Sequence, residues 1–308
     1  DMPIDELMKR SDTAMYQAKA AGRNTMRIFD PTMQAALEKR IELEAQLRVA
    51  LQHKQLQLCY QVQVNEDKRI FGAEILLRWD HPRYGMMLPS EFIPVAEESG
   101  LIIPIGHWVL KSACEQIKLW HTKMKAEDIQ LAVNVSARQF RHPDFVSEVS
   151  GLLAETGADP NLLKLELTES VVLDNIDDAV QKMNALRQLG VRFSMDDFGT
   201  GYSSLAYLKL LPLSQVKIDQ SFVRDIAIDP NDAAIVKTII GMSQSLGLDV
   251  IAEGVEKEAQ FELLKDYGCR KFQGYLFSKP LVLESMEKLL DENKLSFVEV
   301  SSENNGLT

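Results

Sequence analysis

Cysteine is scarce. Cys59, Cys114 and Cys269 are odd in number and widely scattered through the 308 residues, with no CxxC pair, which excludes a disulfide framework and a cysteine zinc site. They read as reduced core thiols. Histidine is nearly as sparse: the five residues have no metal-ligand spacing, and His81, His107, His121 and His142 read as surface or helix positions rather than catalysts. Long hydrophobic runs are missing too. The most apolar stretch, Leu101 to Leu110, is interrupted by Pro104 and His107 and is too short for the roughly 20 residues of a membrane span. No signal peptide is visible. Positive charge is in deficit, with 34 basic against 45 acidic residues and a formal net charge of -11, which argues against a non-specific binder of nucleic-acid polymers. An anionic ligand would need local compensation, which bound divalent cations can supply.

What is present is ordinary for a soluble globular protein: 45% hydrophobic and 26% charged residues. The length accommodates a barrel of about 250 residues plus an appendage. Because the chain starts at Asp1 rather than Met, it is expected to be a fragment, with any membrane anchor lying elsewhere in a parent protein.

Residues 3 to 21 read as a helix with an apolar stripe of Ile4, Leu7, Met8, Met15 and Ala18, stopped by Gly22 and followed by a short strand from Thr25 to Phe29. Pro31 opens a second helical segment to about Gln52, either a signalling linker or a helix docked on the body of the protein. From Lys54 onward strands and helices alternate. Strand candidates are Gln55 to Val64, Ile70 to Trp79, Gln130 to Val135, Leu163 to Leu167, Arg192 to Met195, Gln215 to Ile218, Asp249 to Ala252 and Arg270 to Gln273. Helices are expected at Pro104 to Trp120, Asp144 to Thr156, Ile176 to Leu189, Ser203 to Lys209, Asp232 to Leu246, Glu256 to Tyr267 and Leu283 to Leu290. Eight strands alternating with helices imply an α/β fold of the (β/α)8 TIM type, with an N-terminal helical extension. The short polar link Asn65 to Arg69 suits a hairpin, so one strand is expected to run antiparallel.

The chemistry concentrates at the strand ends. Glu74, Asn134, Glu166 with Glu169, Asp196 with Asp197, Lys217 with Asp219, Glu253 and Gln273 all fall within or just after a strand candidate. In a barrel these positions converge on one mouth, where barrel enzymes assemble their sites. Any one acidic residue there could simply cap the next helix. Gathered together, such carboxylates raise one another's pKa and resist ionisation unless cations join them. An all-oxygen set favours a hard ion such as Mg2+ or Mn2+, and adjacent Asp196 and Asp197 suit two ions, the arrangement that cleaves phosphodiesters. The glycines of Asp196 to Leu205 (DDFGTGYSSL) permit a tight, mobile loop that could couple metal binding to a neighbouring surface.

These residues resemble the motifs of the EAL-domain family of cyclic di-GMP phosphodiesterases over roughly residues 48 to 292: EILLRW from Glu74, PSEFIP from Pro89, Asn134-Val135-Ser136, Glu166-Leu167-Thr168-Glu169, the Asp196 to Leu205 loop, Lys217-Ile218-Asp219, Glu253-Gly254-Val255-Glu256 and Gln273-Gly274-Tyr275. The resemblance implies metal-dependent hydrolysis of cyclic di-GMP to linear pGpG in bacterial signalling. It implies metal ligands Glu74, Asn134, Glu166, Asp196, Asp197 and Glu253, with Glu253 as ligand or base and Glu74, Lys217 and Glu253 as the catalytic set, Lys217 orienting the attacking water. Gln61, Leu77, Arg78, Asp219 and Gln273 would contact substrate, with Arg78 at a phosphate, and Glu169 would brace the loop. A cytoplasmic homodimer binding two ions is the implied state; the competing reading is a sensor module that binds cyclic di-GMP without cleaving it. Two departures stand out. Ile75 replaces the middle Ala of the name-giving motif and Val62 stands where Pro is common; strand alternation turns Ile75 toward the helix layer, away from Glu74.

The first residues resemble the end of a GGDEF domain, on Ser11 to Lys19 and Gly22-Arg23-Asn24. The expected organisation is a GGDEF-like remnant over 1–30, a connecting helix over 31–52, the barrel over 53–295 and a disordered tail over 296–308.

Overall fold

Nine strands form among the described residues of the computed structural model: β1 (Leu56–Asn65), β2 (Ile70–His81), β3 (Gly85–Met87), β4 (Gln130–Asn134), β5 (Leu163–Thr168), β6 (Arg192–Phe198), β7 (Gln215–Ile218), β8 (Asp249–Ala252) and β9 (Lys271–Gln273). The structure describes residues 3–20, 25–124, 128–173, 175–199 and 208–292. The sheet runs β1-β9-β8-β7-β6-β5-β4-β2-β3, and a pairing of β1 with β2 closes the first eight-strand circuit, leaving β3 outside on the end of β2. From β2 through β4 to β9 every neighbour is parallel, whereas β1 runs antiparallel to β9. The antiparallel strand follows from the short link: Asn65 Oδ1 accepts from the backbone N–H of Asp67 and Arg69, an Asx turn that reverses the chain without a crossover helix.

The chain falls into two compact units. One takes the N-terminal part as far as Leu56 with Trp79–Leu101, the other Gln57–Arg78 and everything from Ile102 on. In the second unit the crossover helices are punctuated as their sequences dictate. Phe145–Thr156 ends at Gly157 and Ile176–Leu189 at Gly190, both in the left-handed conformation that closes a helix. Pro230–Ser245 starts on Asp229, whose carboxylate accepts from Asn231 N, with Pro230 supplying a preset first turn.

The registers sort the strand residues onto two faces. Paired residues of parallel strands point the same way, so Glu74, Ala132, Asn134, Glu166, Ser194, Gln215, Lys217, Ile251, Lys271, Gln273 and Gln63 follow one another around the inside. The alternate positions carry Ile75, Val133, Leu165, Phe193, Val216, Ala252, Phe272 and Val62, all buried on the outer face.

In the first unit, Asp30 caps helix Pro31–Ala50 by accepting from Thr32 N, and Leu43, Leu47 and Ala50 are its buried positions. Its polar side reaches Arg83 through Glu42 (2.9 Å) and His81 through Gln46. Helix Pro89–Ser99, which the sequence reading did not anticipate, brings Phe92 edge-on to Trp79 with ring centroids 5.6 Å apart. The short strand expected at Thr25 to Phe29 does not form: residues 25–30 have no regular structure, since a lone strand without a neighbour leaves its backbone unpaired. The stripe expected along the first helix, Ile4–Ala20, is exposed at Ile4 (75%), Leu7, Met8 and Met15, while Thr13 and Ala14 are buried. Gly22, residues 203–207 of the helix expected at Ser203 to Lys209, most of the Asp196 to Leu205 loop and the tail from 293 lie outside the described residues.

Candidate functional site

Inside the barrel, toward the carboxyl ends of the strands, one ammonium gathers four carboxylates. Lys217 Nζ lies 2.5 Å from Glu166 Oε2, 2.7 Å from Glu253 Oε1, 3.1 Å from Asp196 Oδ1 and 3.5 Å from Glu74 Oε2. Lys217 and Glu166 are each 1% exposed, so the centre of the cluster is shielded from water, while Asp196 and Glu253 are partly exposed. Glu74 is fixed from two further sides: Asn134 Nδ2 donates to its Oε1 at 2.6 Å and Gln273 Nε2 to its Oε2 at 2.6 Å. Gln273 in turn donates to Gln61 Oε1 and accepts from Gln63 Nε2. Glutamine and asparagine around an acid act as neutral clamps that orient it without changing the charge count.

The electrostatics follow from one cation among four anions. Burial opposes the charge on Lys217, but Asp196, Glu166, Glu253 and Glu74 outweigh it and raise the ammonium well above its ordinary range. Burial pushes the Glu166 carboxyl up to about 8, against the pull of Lys217, and pushes Glu253 well above the carboxylate range. Glu74 is buried as deeply, yet Lys217 and the bonds from Gln273 and Asn134 bring it below its ordinary value. Three acids of like chemistry are thus tuned apart by their neighbours.

Asp196 and Asp197 stand at a register shift between β6 and β7, bounded by Met195 and Phe198. Such a bulge turns consecutive side chains away from strict alternation and is common beside active sites. Asp197 has φ 52, a left-handed conformation uncommon for a residue with a side chain, and its N–H donates to Asp196 Oδ1. Burial first, then the nearby Asp196 and Asp219, raises the Asp197 carboxyl. Asp219 caps helix Gln220–Arg224, with Oδ1 accepting from Ser221 N (3.0 Å) and from the Ser221 hydroxyl. Arg78 is half-buried, with Nη1 bonded to Leu77 O, and alternation along β2 puts it with Glu74 and puts Leu77 with Ile75 on the opposite face. Glu169 opens helix Glu169–Leu173, and among the described residues neither of its buried carboxylate oxygens has a partner.

The sequence reading missed the layer beneath this cluster. Lys164, Ser194, Gln215 and Gln63 line the same inner face lower down, all buried. The signal was available: Lys-Leu-Glu-Leu, Gln-Val-Lys-Ile and Ser-Met-Asp alternate, where parallel strands covered on both faces ordinarily read as continuous apolar runs.

Among the described residues, no three His, Cys, Asp or Glu side chains stand arranged as a metal-holding group, since the Lys217 ammonium takes the middle of the cluster. The chemistry of the donors nevertheless fits a hard cation. They are oxygens throughout, one ammonium faces four carboxylates, and Glu166 Oε1 is buried with no partner.

Comparison with known proteins agrees with the fold and the motifs. The family described as EAL domain matches residues 44–280. The bifunctional diguanylate cyclase/cyclic di-GMP phosphodiesterase MucR of Pseudomonas aeruginosa is 44% identical over 282 residues, 91% of this chain and 41% of that protein. The cyclic di-GMP phosphodiesterase NbdA of the same organism is 40% identical over 287 residues, 93% of this chain and 36% of that protein. The chain therefore spans about two fifths of the length of these curated relatives. A solved structure of the PaMucR phosphodiesterase in complex with c-di-GMP is 44% identical and superposes with a TM-score of 0.77, covering 80% of this chain and 99% of that one. The chain belongs to the EAL-domain family.

Proposed function

We propose that this chain hydrolyses cyclic di-GMP to linear pGpG with the help of divalent metal. The observation that carries the reading is the convergence of Glu74, Glu166, Asp196 and Glu253 on Lys217 within 3.5 Å, at the mouth where barrel enzymes work. Its second support is the likeness to relatives named as cyclic di-GMP phosphodiesterases.

Glu74, Asn134, Glu166, Asp196, Asp197 and Glu253 would hold the metal, two ions of Mg2+ or Mn2+. Such ions, when bound, supply positive charge that acidifies water and steadies the developing negative charge on a phosphodiester. The rest of the work falls to the chain. Lys217 counters the carboxylates and orients the attacking water. Glu253 Oε1, 2.7 Å from that ammonium but without an aligned hydrogen bond, has the free acceptor capacity to take a proton from the water. Water adds to one phosphorus, the opposite ester oxygen departs, and the ring opens. Arg78 supplies a planar fork for a phosphate, and Gln61, Asp219 and Gln273 complete the side-chain contacts; Leu77, which faces away from Arg78, would contribute through its backbone. Glu169 braces the Asp196 to Leu205 loop, and its two buried oxygens, unpartnered among the described residues, support that role because such acceptors need donors.

The finer organisation belongs to the same reading: a GGDEF-like remnant over 1–30, a connecting helix over 31–52, a catalytic barrel over 53–295, a tail over 296–308 and a homodimer acting in the cytoplasm. No helix among the described residues is long and apolar enough to cross a membrane.

The test is pGpG formation from cyclic di-GMP with Mg2+ or Mn2+, beside Glu74→Ala and an EDTA-treated sample. Product lost in both controls is expected; tight binding of cyclic di-GMP without product would make the chain a sensor.

A further inference from the structure

Below the carboxylate cluster lies a second buried cation with no place in the reaction described above. Lys164 is 2% exposed, two residues before Glu166 on the inner face of β5, so its level is roughly 7 Å deeper along the strand. Its Nζ donates to Gln215 Oε1 at 2.8 Å and lies 5.8 Å from the centre of the Phe71 ring. Among the described residues it forms no ion pair.

One neutral amide is poor compensation for a buried ammonium, and a neutral donor would satisfy Gln215 as well. The charges facing Lys164 identify a better partner. Burial brings the Lys164 ammonium down to about 8, against the pull of Glu166 and Asp249 and together with the repulsion of Lys271 and Lys217. Asp249 is already bound to Lys271 at 2.6 Å, which leaves Glu166 as the anion that Lys164 serves. Glu166 therefore stands between two buried ammonium groups, Lys217 on its Oε2 and Lys164 in the layer beneath, with Oε1 still unpartnered.

We propose that Lys164 is a positioning residue, a fixed counter-charge that holds the carboxylate cage together when it carries no metal and weakens the grip of the cage on a divalent ion. The metal part rests on the phosphodiesterase reading; the counter-charge part does not. One positive charge does both things, because what stabilises four gathered anions also repels an incoming cation. The cage is thereby stable while empty.

The experiment is a double-mutant cycle in EDTA at about pH 8, where Glu166 releases its proton, with Lys164→Met and Glu166→Gln alone and combined, read by thermal unfolding, followed by Mn2+ titration of wild type and Lys164→Met. Lys164→Met is expected to lower Tm in EDTA by roughly 5 °C, most of which disappears in the Glu166→Gln background. The Mn2+ dissociation constant of Lys164→Met should fall about fivefold or more. Lys164→Arg, which keeps the charge, should restore both. An equal Tm loss in both backgrounds overturns the counter-charge, since a packing role would not depend on the charge of Glu166. Unchanged Mn2+ affinity overturns the metal part alone. If wild type binds no Mn2+ and forms no pGpG, the phosphodiesterase reading fails, and the EDTA cycle still decides the counter-charge. Should Lys164→Met not fold, the double variant, which removes both charges, is expected to fold; its failure would also overturn the proposal.

Discussion

The two faces of the barrel wall are made from alternate residues of the same strands and are opposites in chemistry. On β5 the outer positions are Leu163, Leu165 and Leu167, each 0% exposed, and the inner ones are Lys164, Glu166 and Thr168. On β7 Val216 and Ile218 face outward while Gln215 and Lys217 face inward. Barrel interiors of this type are commonly filled by branched apolar residues. Here Ala132 and Ile251 are the apolar members of an otherwise polar inner ring. The outer face can therefore carry the fold through burial against helices, and the inner face is free to carry charge. Function and stability divide at every second residue.

The sharpest way to break that division is to remove the inner cation. Lys217→Ala leaves four carboxylates without their shared partner, so turnover should fall by several orders of magnitude and the EDTA-treated protein should lose about 3–5 kcal/mol of stability. Turnover with product analysis and urea unfolding check the two halves. Near-wild-type stability in EDTA would mean the carboxylates do not depend on this lysine.

An outer-face truncation should do the reverse. Leu165→Ala is expected to cost about 2–5 kcal/mol while the folded fraction keeps its kcat within a few-fold. A large loss of kcat at full folding would show that the faces are not separable.

Acidity offers a gentler probe. In the metal-free protein Glu166 holds its proton up to about 8, against 4.5 for the ordinary group, and Glu253 is raised in the same direction. The folded state therefore binds protons that the unfolded chain has released. Stability from this source is full below pH 4.5 and is lost as pH rises toward 8. Glu74, lowered instead, contributes stability that is lost only as pH falls below its ordinary range. Thermal unfolding in EDTA should show Tm decreasing between pH 5.5 and 8 (about that window), with Mn2+ flattening the trend. A Tm that climbs with pH would contradict it.

The smallest effect is expected at Ile75, 3% exposed and paired with Val133 on the outer face. Ile75→Ala should change turnover by less than about threefold, because the side chain points away from Glu74. A gain of orders of magnitude would tie the outer wall directly to the chemistry.

Much of this could be read in advance. Eight strands, the hairpin reversal at Asn65 and the acids at strand ends are written in local pattern, because strand propensity, turn residues and polar punctuation act over a few neighbours. Short helices such as Gln220–Arg224 were not legible, since a helix that brief is held by its cap and its packing rather than by periodicity. The apolar stripe at Ile4, Leu7 and Met8 was legible as a pattern and misleading about burial, because spacing identifies a face without saying what covers it.

By itself the sequence determined the order of strands, the chemical type of each strand-end group and the surplus of acid. Tertiary structure alone decided that Lys217 stands among four carboxylates contributed by β2, β5, β6 and the turn after β8, that a bulge re-aims Asp196 and Asp197, and that Lys164 faces inward beneath Glu166. The reason is physical: propensity acts along the chain, whereas register, closure and the electrostatic field of a cluster arise between strands far apart in sequence, and only the closed barrel brings those charges within reach of one another.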